Sequence, residues 1–407
     1  MSQHVIFAAP FFLETTLRFI RGASGLPGVD LTVISQQPFE ALPGDLRQRV
    51  AGHWRVDDAL DPAQLVAAAR SLGNRFGQPL QLIGVLEQLQ VPLAVAREAL
   101  GIPGLSVDAS RNFRDKSRMK TVLAEAGLPC ARHSLAGDAD TARRFAAEVG
   151  FPLVVKPPAG AGSVGTYRID DEAALERFIA AHPHVDAHPA LYEEFVAGEE
   201  YSFDSVCIDG EMVWHSVSHY RPPPLVVLEN PWIQWVVYLP RDISGEGFDP
   251  IRDAAERAVT TLGLHTGLSH MEWFRLSESR IAISEVGARP PGAQITSLLS
   301  YAHDHDFFAA WPKLMVTGEF DVPERTFAAG AAYVRAQGQG RIRHIHGLGE
   351  AQRRYGDLVV EAKLPKPGQG TRDGYEGDGF VIVRHPESAV VEEALNGIVE
   401  LIQVELV

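Results

Sequence analysis

A lysine followed by a glycine-rich loop is the clearest arrangement of reactive residue types in the sequence. The apolar stretch Phe-Pro-Leu-Val-Val leads into Lys156, and Pro-Pro-Ala-Gly-Ala-Gly-Ser-Val-Gly-Thr follows it. Lysine supplies a fixed positive charge, and Gly160, Gly162 and Gly165 lack the Cβ atoms that keep backbone N–H groups away from phosphate oxygens. The loop lacks the Gly-Lys-Ser/Thr ending of a Walker A loop, and no helix pattern follows directly. The spacing therefore indicates a phosphate-binding loop of another kind.

Two glutamates farther along the chain could hold a divalent metal ion. Glu272 lies in His-Met-Glu-Trp-Phe and Glu285 in Ile-Ser-Glu-Val-Gly-Ala-Arg-Pro-Pro-Gly, both in segments with a strand pattern. Mg²⁺ is usually held by one or two carboxylates together with phosphate oxygens and water, so two glutamates on neighbouring strands suffice. An unpaired carboxylate in the apolar run around Glu272 is costly to bury. The alternative is an edge position with that side chain in water.

The elements that must position these residues begin with a small α/β unit. Strand patterns cover residues 4–9, 30–35 and 80–83, and a helical pattern covers residues 62–72. This alternation predicts a βαβ domain with a parallel sheet. No Gly-x-Gly-x-x-Gly follows the first strand, so we expect a Rossmann-like domain that does not bind a dinucleotide.

Helical and strand patterns continue through the rest of the chain. Helices are predicted over residues 115–127, 140–149, 171–181, 250–262, 294–310 and 388–401, and strands within residues 190–219, 268–276 and 280–286. After Thr326 the composition changes to short strands and glycine-rich turns. This change predicts a third, smaller domain.

Charge and cysteine content exclude several classes of protein. Lys plus Arg number 37 and Asp plus Glu 52 in 407 residues, a net charge of 37 − 52 = −15. This argues against sequence-independent binding to nucleic acid or to an anionic membrane. Cys130 and Cys207 are far apart and form no CxxC pair, which favours a reducing compartment. With no secretory signal pattern and no run of about 18 apolar residues, we expect a cytoplasmic protein.

Four histidines occur in pairs that could suggest metal binding. The run His-Asp-His-Asp at 303–306 falls on the helix predicted over residues 294–310, where sequence neighbours point apart. Charge on a helix surface is therefore favoured over a metal site. His344 and His346 alternate on a predicted strand, and we interpret them as structural.

The order of the charged residues resembles the ATP-grasp superfamily. The series runs Lys116, Lys156, Glu193-Glu194-Phe195-Val196, Glu272, Glu285 and Arg289. The resemblance implies a mixed α/β fold in which a Rossmann-like domain precedes a two-lobed ATP-grasp domain and a small C-terminal domain. It places these domains at residues 1–112, 113–324 and 325–407, with a mobile lobe at about 128–196.

The same resemblance implies a nucleotide site. Lys116 and Lys156 look like the two family lysines that reach the phosphates from opposite lobes, and the loop resembles the mobile flap over them. Glu200 resembles the ribose-binding acid, with Glu199 as a close alternative. The flap residues are Gly160, Gly162, Ser163 and Gly165, and the segment resembling the adenine-reading one is Glu193, Glu194, Phe195 and Val196.

Metal and catalytic roles are implied in the same way. Glu272 and Glu285 look like the pair that holds Mg²⁺, or Mn²⁺ in its place, against the phosphates. Gly287 stands where many members have an asparagine ligand, so one metal ion is better supported than two. Arg289 and Lys156 resemble the catalytic residues. Arg289 would face the transferred phosphoryl group or the substrate carboxylate with its planar fork.

The resemblance predicts an ATP-dependent ligase. Such an enzyme activates a carboxylate as an acyl phosphate and joins it to an amine, so its partners are small-molecule substrates, and homodimers are common among relatives. Two alternatives stay open: a biotin-type or purine-type carboxylase subunit that uses bicarbonate, and a nucleotide-binding relative without turnover. Trp232, Trp235 and Tyr238 could cap a substrate pocket or simply pack.

Overall fold

The N-terminal part of the chain forms a parallel sheet covered by helices. In a computed structural model, which describes residues 2–160, 165–182, 189–230, 233–372 and 374–407, the strand order of this sheet is β3-β2-β1-β4. The elements are β1 Gln3–Ala8, α1 Glu14–Ala23, β2 Val29–Ser35, α2 Gly44–Arg49, β3 Gly52–Arg55, α3 Pro62–Phe76, β4 Gln81–Ile83, α4 Gln90–Leu100 and α5 Val107–Arg114. Val5 to Ala8 are buried on both faces of β1, as in parallel sheets with helices on each side.

A second, antiparallel sheet follows and delivers Lys156. Its strand order is β5-β8-β6-β7, and two helices pack against it around Leu153, Val155 and Tyr192. The elements are α6 Lys116–Glu125, β5 His133–Ala136, α7 Ala139–Val149, β6 Leu153–Lys156, β7 Tyr167–Ile169, α8 Glu172–Ala181 and β8 Ala190–Glu194.

An eight-stranded antiparallel sheet forms the centre of the molecule. Its strand order is β13-β12-β9-β10-β11-β14-β17-β16. The remaining elements are β9 Glu199–Ile208, β10 Glu211–Arg221, α9 Pro224–Glu229, β11 Val236–Leu239, α10 Asp249–Leu262, β12 Gly267–Arg275, β13 Ile281–Gly287, α11 Ile295–His303, α12 Phe307–Thr317, β14 Ala328–Val334, β15 Ile342–His346, α13 Leu348–Tyr355, β16 Val359–Lys363, β17 Gly379–His385, α14 Ser388–Leu401 and β18 Gln403–Leu406.

The segment after Thr326 is continuous with this sheet. It contributes β14, β16 and β17, and β14 pairs with β11 over Val236–Ala332 to Leu239–Ala329. β15 and β18 form a separate two-stranded sheet. The division at residues 324 and 325 therefore falls between two elements that pack on one sheet, and the three domain boundaries stay predictions. The mixed α/β fold class predicted from the sequence is confirmed.

The single helix predicted over residues 294–310 is wrong, because the chain forms two helices there. Asp304 has φ +48°, which ends α11, and Asp306 caps α12 by accepting a hydrogen bond from the Phe308 N–H at 2.9 Å. His303 is buried, with Nδ1 2.9 Å from the Leu299 carbonyl. Burial lowers the pKa of His303 to about 3. The interpretation of this run as charge on a helix surface is therefore wrong for His303.

His344 and His346 lie on β15, and His346 Nε2 is 2.8 Å from Glu405 Oε2. No helix in the described parts of the chain is long and apolar enough to cross a membrane. Within the same ranges, no group of three or more His, Cys, Asp or Glu side chains is arranged to hold a metal ion.

Candidate active site

One cavity collects most of the charged residues singled out from the sequence. Its volume is about 600 Å³. Its walls come from the β5-β8-β6-β7 sheet, the eight-stranded sheet, the start of α6 and a C-terminal loop. The predicted site residues that line it are Lys116, Lys156, Gly160, Glu193, Glu194, Phe195, Val196, Glu200, Glu272, Glu285 and Arg289. Gly162 and Ser163 lie outside the described residues.

Lys116 is the first residue of α6, and its side chain lines the cavity. The N–H groups of Ser117 and Arg118 donate to the Asp115 carboxylate at 2.9 and 3.1 Å, which caps the helix and fixes where it begins. Lys116 Nζ lies 2.8 Å from Glu285 Oε1 and donates to the Gly160 carbonyl at 3.1 Å. The lysine therefore connects the glycine-rich loop to the strand that carries Glu285.

A buried triad of charges connects α6 to β6 and β8. Glu193 Oε1 is 2.9 Å from Lys156 Nζ and 3.4 Å from Lys120 Nζ. Burial by itself raises the pKa of Glu193, but the two lysines more than offset this, and the pKa lies below its ordinary value. Burial lowers the pKa of Lys120, which is only 1% exposed. Sequence reasoning missed Lys120, although its position one helical turn after Lys116 placed both on one face.

Glu193 and Glu194 point in opposite directions because neighbours on a strand alternate. The Arg132 N–H and Nε both donate to the Glu194 carboxylate, at 2.9 and 2.7 Å. Phe195 packs under the Arg168 guanidinium, whose central carbon is 4.4 Å from the ring centroid. Both glutamate carboxylates therefore have cationic partners in this structure. Contact of the 193–196 segment with adenine stays a prediction.

Strand alternation also separates Glu199 from Glu200. Glu200 is buried and lines the cavity, whereas Glu199 is exposed and accepts a hydrogen bond from the Tyr201 hydroxyl at 3.0 Å. Burial, and after it the negative charge of Glu272, raise the pKa of Glu200 well above its ordinary value. A ligand group that donates hydrogen bonds to Glu200 would offset the free-energy cost of burying its carboxylate. Of the two, only Glu200 lies where a nucleotide in the cavity could reach it.

Glu272 and Glu285 face each other across β12 and β13. They are register partners, and residues directly opposite in an antiparallel pair project to the same face. Burial raises the pKa of Glu285, but the charges of Lys116 and Lys156 more than offset this and lower it overall. Glu285 is therefore held as a carboxylate. Two facing carboxylates that line one cavity fit the oxygen ligands that Mg²⁺ prefers.

A buried histidine supports Glu272 from the same strand. His270 Nδ1 is 2.8 Å from Asp204 Oδ1, and His270 Nε2 is 3.8 Å from Glu272 Oε1. Burial lowers the pKa of His270, but Asp204 raises it more, to about 9. The sequence signal for His270 was its position two residues before Glu272, which places both on one face of the strand. Sequence reasoning missed it.

Arg289 is held by a residue from the N-terminal part of the chain. Arg289 Nε donates to Glu87 Oε2 in a short ion pair, and Arg289 Nη1 donates to the Pro290 carbonyl at 2.8 Å. A Cβ atom at Gly287 would lie 3.4 Å from the same Glu87 oxygen, an ordinary contact distance, so this pair does not itself require glycine. No sequence signal pointed to Glu87, which is 202 residues away.

The near end of the glycine-rich loop is fixed by hydrogen bonds. Arg114 donates from Nη2 to the Ala159 carbonyl and from Nη1 to the Gly160 carbonyl, both at 3.1 Å. Gly165 has φ +73°, and a Cβ atom there would lie 3.2 Å from Pro157 Cγ. Glycine is therefore needed at 165 for both its conformation and its close contact with the proline.

Of the three aromatic residues predicted to cap a pocket or to pack, Trp235 lines the cavity. Tyr238 packs instead in the core formed by the C-terminal segment. Trp232 lies outside the described residues.

Comparison with known proteins gives a family match and named relatives. Residues 149–297 match the model of an ATP-grasp domain. The chain is 44% identical over 169 residues to a D-alanine–D-alanine ligase of Desulforudis audaxviator, covering 41% of this chain and 50% of that protein. It is 25% identical over 358 residues to an alanine–anticapsin ligase of Bacillus subtilis, covering 82% of this chain and 74% of that protein.

Solved structures share the fold over the whole chain. An L-amino acid ligase from Bacillus licheniformis matches with a TM-score of 0.79 and 20% identity, covering 100% of this chain and 99% of that one. An N5-carboxyaminoimidazole ribonucleotide synthetase from Thermotoga maritima matches with a TM-score of 0.70 and 18% identity, covering 100% of both chains. At these identities the likeness establishes the fold alone.

Proposed function

Since the chain belongs to the ATP-grasp superfamily, we propose that it is an ADP-forming ligase that joins a carboxylate to an amine. The observation that carries the proposal is that one cavity contains the lysines on α6 and β6, Arg289, and the facing pair Glu272 and Glu285. These are the charges that transfer of a γ-phosphoryl group needs.

The lysines neutralise the triphosphate. Lys116 enters from α6 and Lys156 from the end of β6, and Lys120 adds a third cation behind Glu193. Two cations from opposing walls balance the phosphate charge and leave the γ-phosphoryl group accessible to a nucleophile. The Gly160 and Gly165 loop covers that group, and Glu200 binds the ribose.

Glu272 and Glu285 are the residues that would hold Mg²⁺, or Mn²⁺ in its place. When bound, such an ion neutralises charge that develops on the phosphoryl oxygens. Gly287 brings no donor atom, so we propose one firmly held ion rather than two. His270 holds Glu272 through its charge, and Lys116 holds Glu285.

Arg289 orients the reacting groups. Its guanidinium is fixed by Glu87 and by the Pro290 carbonyl, so little conformational freedom remains to be lost when it binds an anion. A planar fork matches two oxygens of a carboxylate or a phosphoryl group. We assign it to the substrate carboxylate and the group transferred to it.

The reaction proceeds in two transfers. A carboxylate oxygen attacks the γ-phosphorus, the bond to the oxygen bridging the β- and γ-phosphates breaks, and ADP leaves. The amine nitrogen then attacks the acyl carbon of the acyl phosphate, the carbon–oxygen bond breaks, and phosphate leaves. The amine loses a proton to phosphate or water as the amide bond forms.

Release of ADP from purified protein tests this assignment. Protein, ATP and Mg²⁺ are incubated with a panel of carboxylate and amine pairs, and parallel reactions contain bicarbonate with or without each amine. The ligase assignment predicts ADP release that requires both a carboxylate and an amine, together with an amide product. Release that depends on bicarbonate alone would assign a carboxylase. ATP binding without release under every condition would assign a nucleotide-binding relative.

A homodimer and a cytoplasmic location complete the proposal as predictions. Sedimentation equilibrium tests the first, since a homodimer has twice the 44.4 kDa mass of the chain. A mass equal to that of one chain across micromolar concentrations would refute it.

A further inference from the structure

A carboxylate without a partner lies at the end of the cavity formed by the C-terminal loop. Glu376 lines this end beside Tyr375 and is accessible there. Within the described ranges, no residue donates a hydrogen bond or forms an ion pair to its carboxylate. Packing raises the pKa of Glu376 above its ordinary value, and the charge of Arg372 offsets this only in part.

The loop is anchored on both sides of Glu376. The buried Asp378 carboxylate accepts hydrogen bonds from the Arg372 N–H at 2.8 Å and from the Ala336 N–H at 3.1 Å. The Tyr375 ring meets Trp235 edge-on, with centroids 4.6 Å apart. Contacts before and after Glu376 therefore fix its backbone at the cavity wall, so its position there is built into the fold.

A second polar group at this end also lacks a partner. Trp235 lines the cavity and is 1% exposed, and its indole N–H has no acceptor among the residues that the structure describes. Buried polar groups are normally paired. The unpaired indole N–H therefore indicates a ligand that supplies an acceptor here, and the accessible Glu376 carboxylate can contact the same ligand.

This end of the cavity borders the region where the carboxylate would be activated. Tyr375 lines the same cavity as Glu272, Glu285 and Arg289. Tyr220 and Trp235, whose ring centroids are 5.5 Å apart, line the same cavity. Aromatic rings beside an unpaired carboxylate favour an organic cation.

We propose that Glu376 binds the ammonium group of the amine substrate, accepts one of its protons before the nitrogen attacks the acyl carbon, and thereby selects amines that arrive protonated. The second proton leaves to phosphate or water as the amide bond forms. This rests on the proposed ligase function. The contact is a charge-assisted hydrogen bond, and its removal should weaken use of a protonated amine by roughly tenfold or more.

Two small nucleophiles of equal size separate this role from carboxylate activation. Methylamine is protonated at neutral pH, whereas hydroxylamine is mostly uncharged and traps an acyl phosphate as a hydroxamate. Each is titrated at pH 7 with ATP, Mg²⁺ and the carboxylate that best stimulates ADP release. For Glu376→Gln, we expect the ratio of N-methylamide to hydroxamate kcat/KM to fall at least tenfold, mainly through the KM for methylamine.

Matched variants make the result decisive. Glu229→Gln removes a charge from the same cavity, so an equal fall in that variant would mean that net charge rather than contact is responsible and would overturn the proposal. Glu376→Asp keeps the charge and should recover part of the ratio. An unchanged ratio in Glu376→Gln, or wild-type enzyme that makes hydroxamate but no N-methylamide, would also overturn it. Absence of hydroxamate with every carboxylate would instead refute the ligase function, and this proposal with it.

Discussion

Substitution of Glu193 by glutamine should strongly destabilise the lobe that carries Lys156. The wild-type triad places one negative charge between Lys156 and Lys120, at 2.9 and 3.4 Å, and all three side chains are at most 10% exposed. Glu193→Gln removes the carboxylate charge that lies between the two buried cations. Removing one partner of a buried ion pair costs about 3–5 kcal/mol.

Amide hydrogen exchange measures this loss where it occurs. A loss of 3–5 kcal/mol should raise the opening constants of the β6 and β8 amides roughly a hundredfold to a few thousandfold. Urea unfolding followed by circular dichroism should show a lower midpoint for the same variant. Nucleotide is omitted from both measurements, so that binding does not restore stability.

The neighbouring residue provides the control. Glu194→Gln makes the same chemical change, but Glu194 pairs with Arg132, whose side chain is 54% exposed. Exposed pairs of this kind contribute about 0–1 kcal/mol. The reasoning is refuted if Glu193→Gln changes amide exchange in β6 and β8 no more than Glu194→Gln does. The buried triad would then contribute no more to the stability of the lobe than the exposed ion pair does.

Three further predictions concern the metal pair, the phosphate lysine and a buried histidine. Glu285→Ala should abolish ATP consumption, because it removes one of the two facing carboxylates that would hold the metal ion. The circular dichroism spectrum of the variant should match that of the wild type. Full activity would show that Glu285 is not part of the metal site. Lys156→Ala should weaken binding of a non-hydrolysable ATP analogue in calorimetry by roughly tenfold or more, and unchanged affinity with normal turnover would contradict its role. His303 has a folded pKa of about 3 against 6.5 for the free side chain, so its contribution to stability is complete above pH 6.5 and is lost as the pH falls toward 3. Melting temperatures between pH 6.5 and 4 should therefore fall more steeply for wild type than for His303→Gln, and parallel curves would show that His303 does not titrate in this way.

Much of the fold and part of the candidate site followed from local patterns. Asp115 before a helical pattern predicted the start of α6 and with it the position of Lys116, because a capping side chain fixes where a helix begins. The apolar run before Lys156 predicted β6. Strand patterns around Glu272 and Glu285 predicted two neighbouring strands, and these two residues are indeed register partners.

Local patterns failed where the deciding contact lies far away in sequence. The pattern over residues 294–310 continues through Asp304, but the backbone there adopts a left-handed conformation with φ +48°, which ends α11. The composition change after Thr326 predicted a third domain, which stays a prediction, but composition did not indicate that β14 and β17 would join the central sheet. Strand pairing depends on partners that composition does not specify.

From the sequence alone, we could identify the charged residues and predict the strand or helix that carries several of them. Only the tertiary structure decided which charges meet. It paired Glu87 with Arg289 across 202 positions, and it placed Lys120 beside Glu193. It also brought Glu376 to the cavity from the C-terminal loop. The physical reason is that periodicity fixes the direction of a side chain within its own element, whereas a pairing of charges requires two elements to be packed at one distance and register.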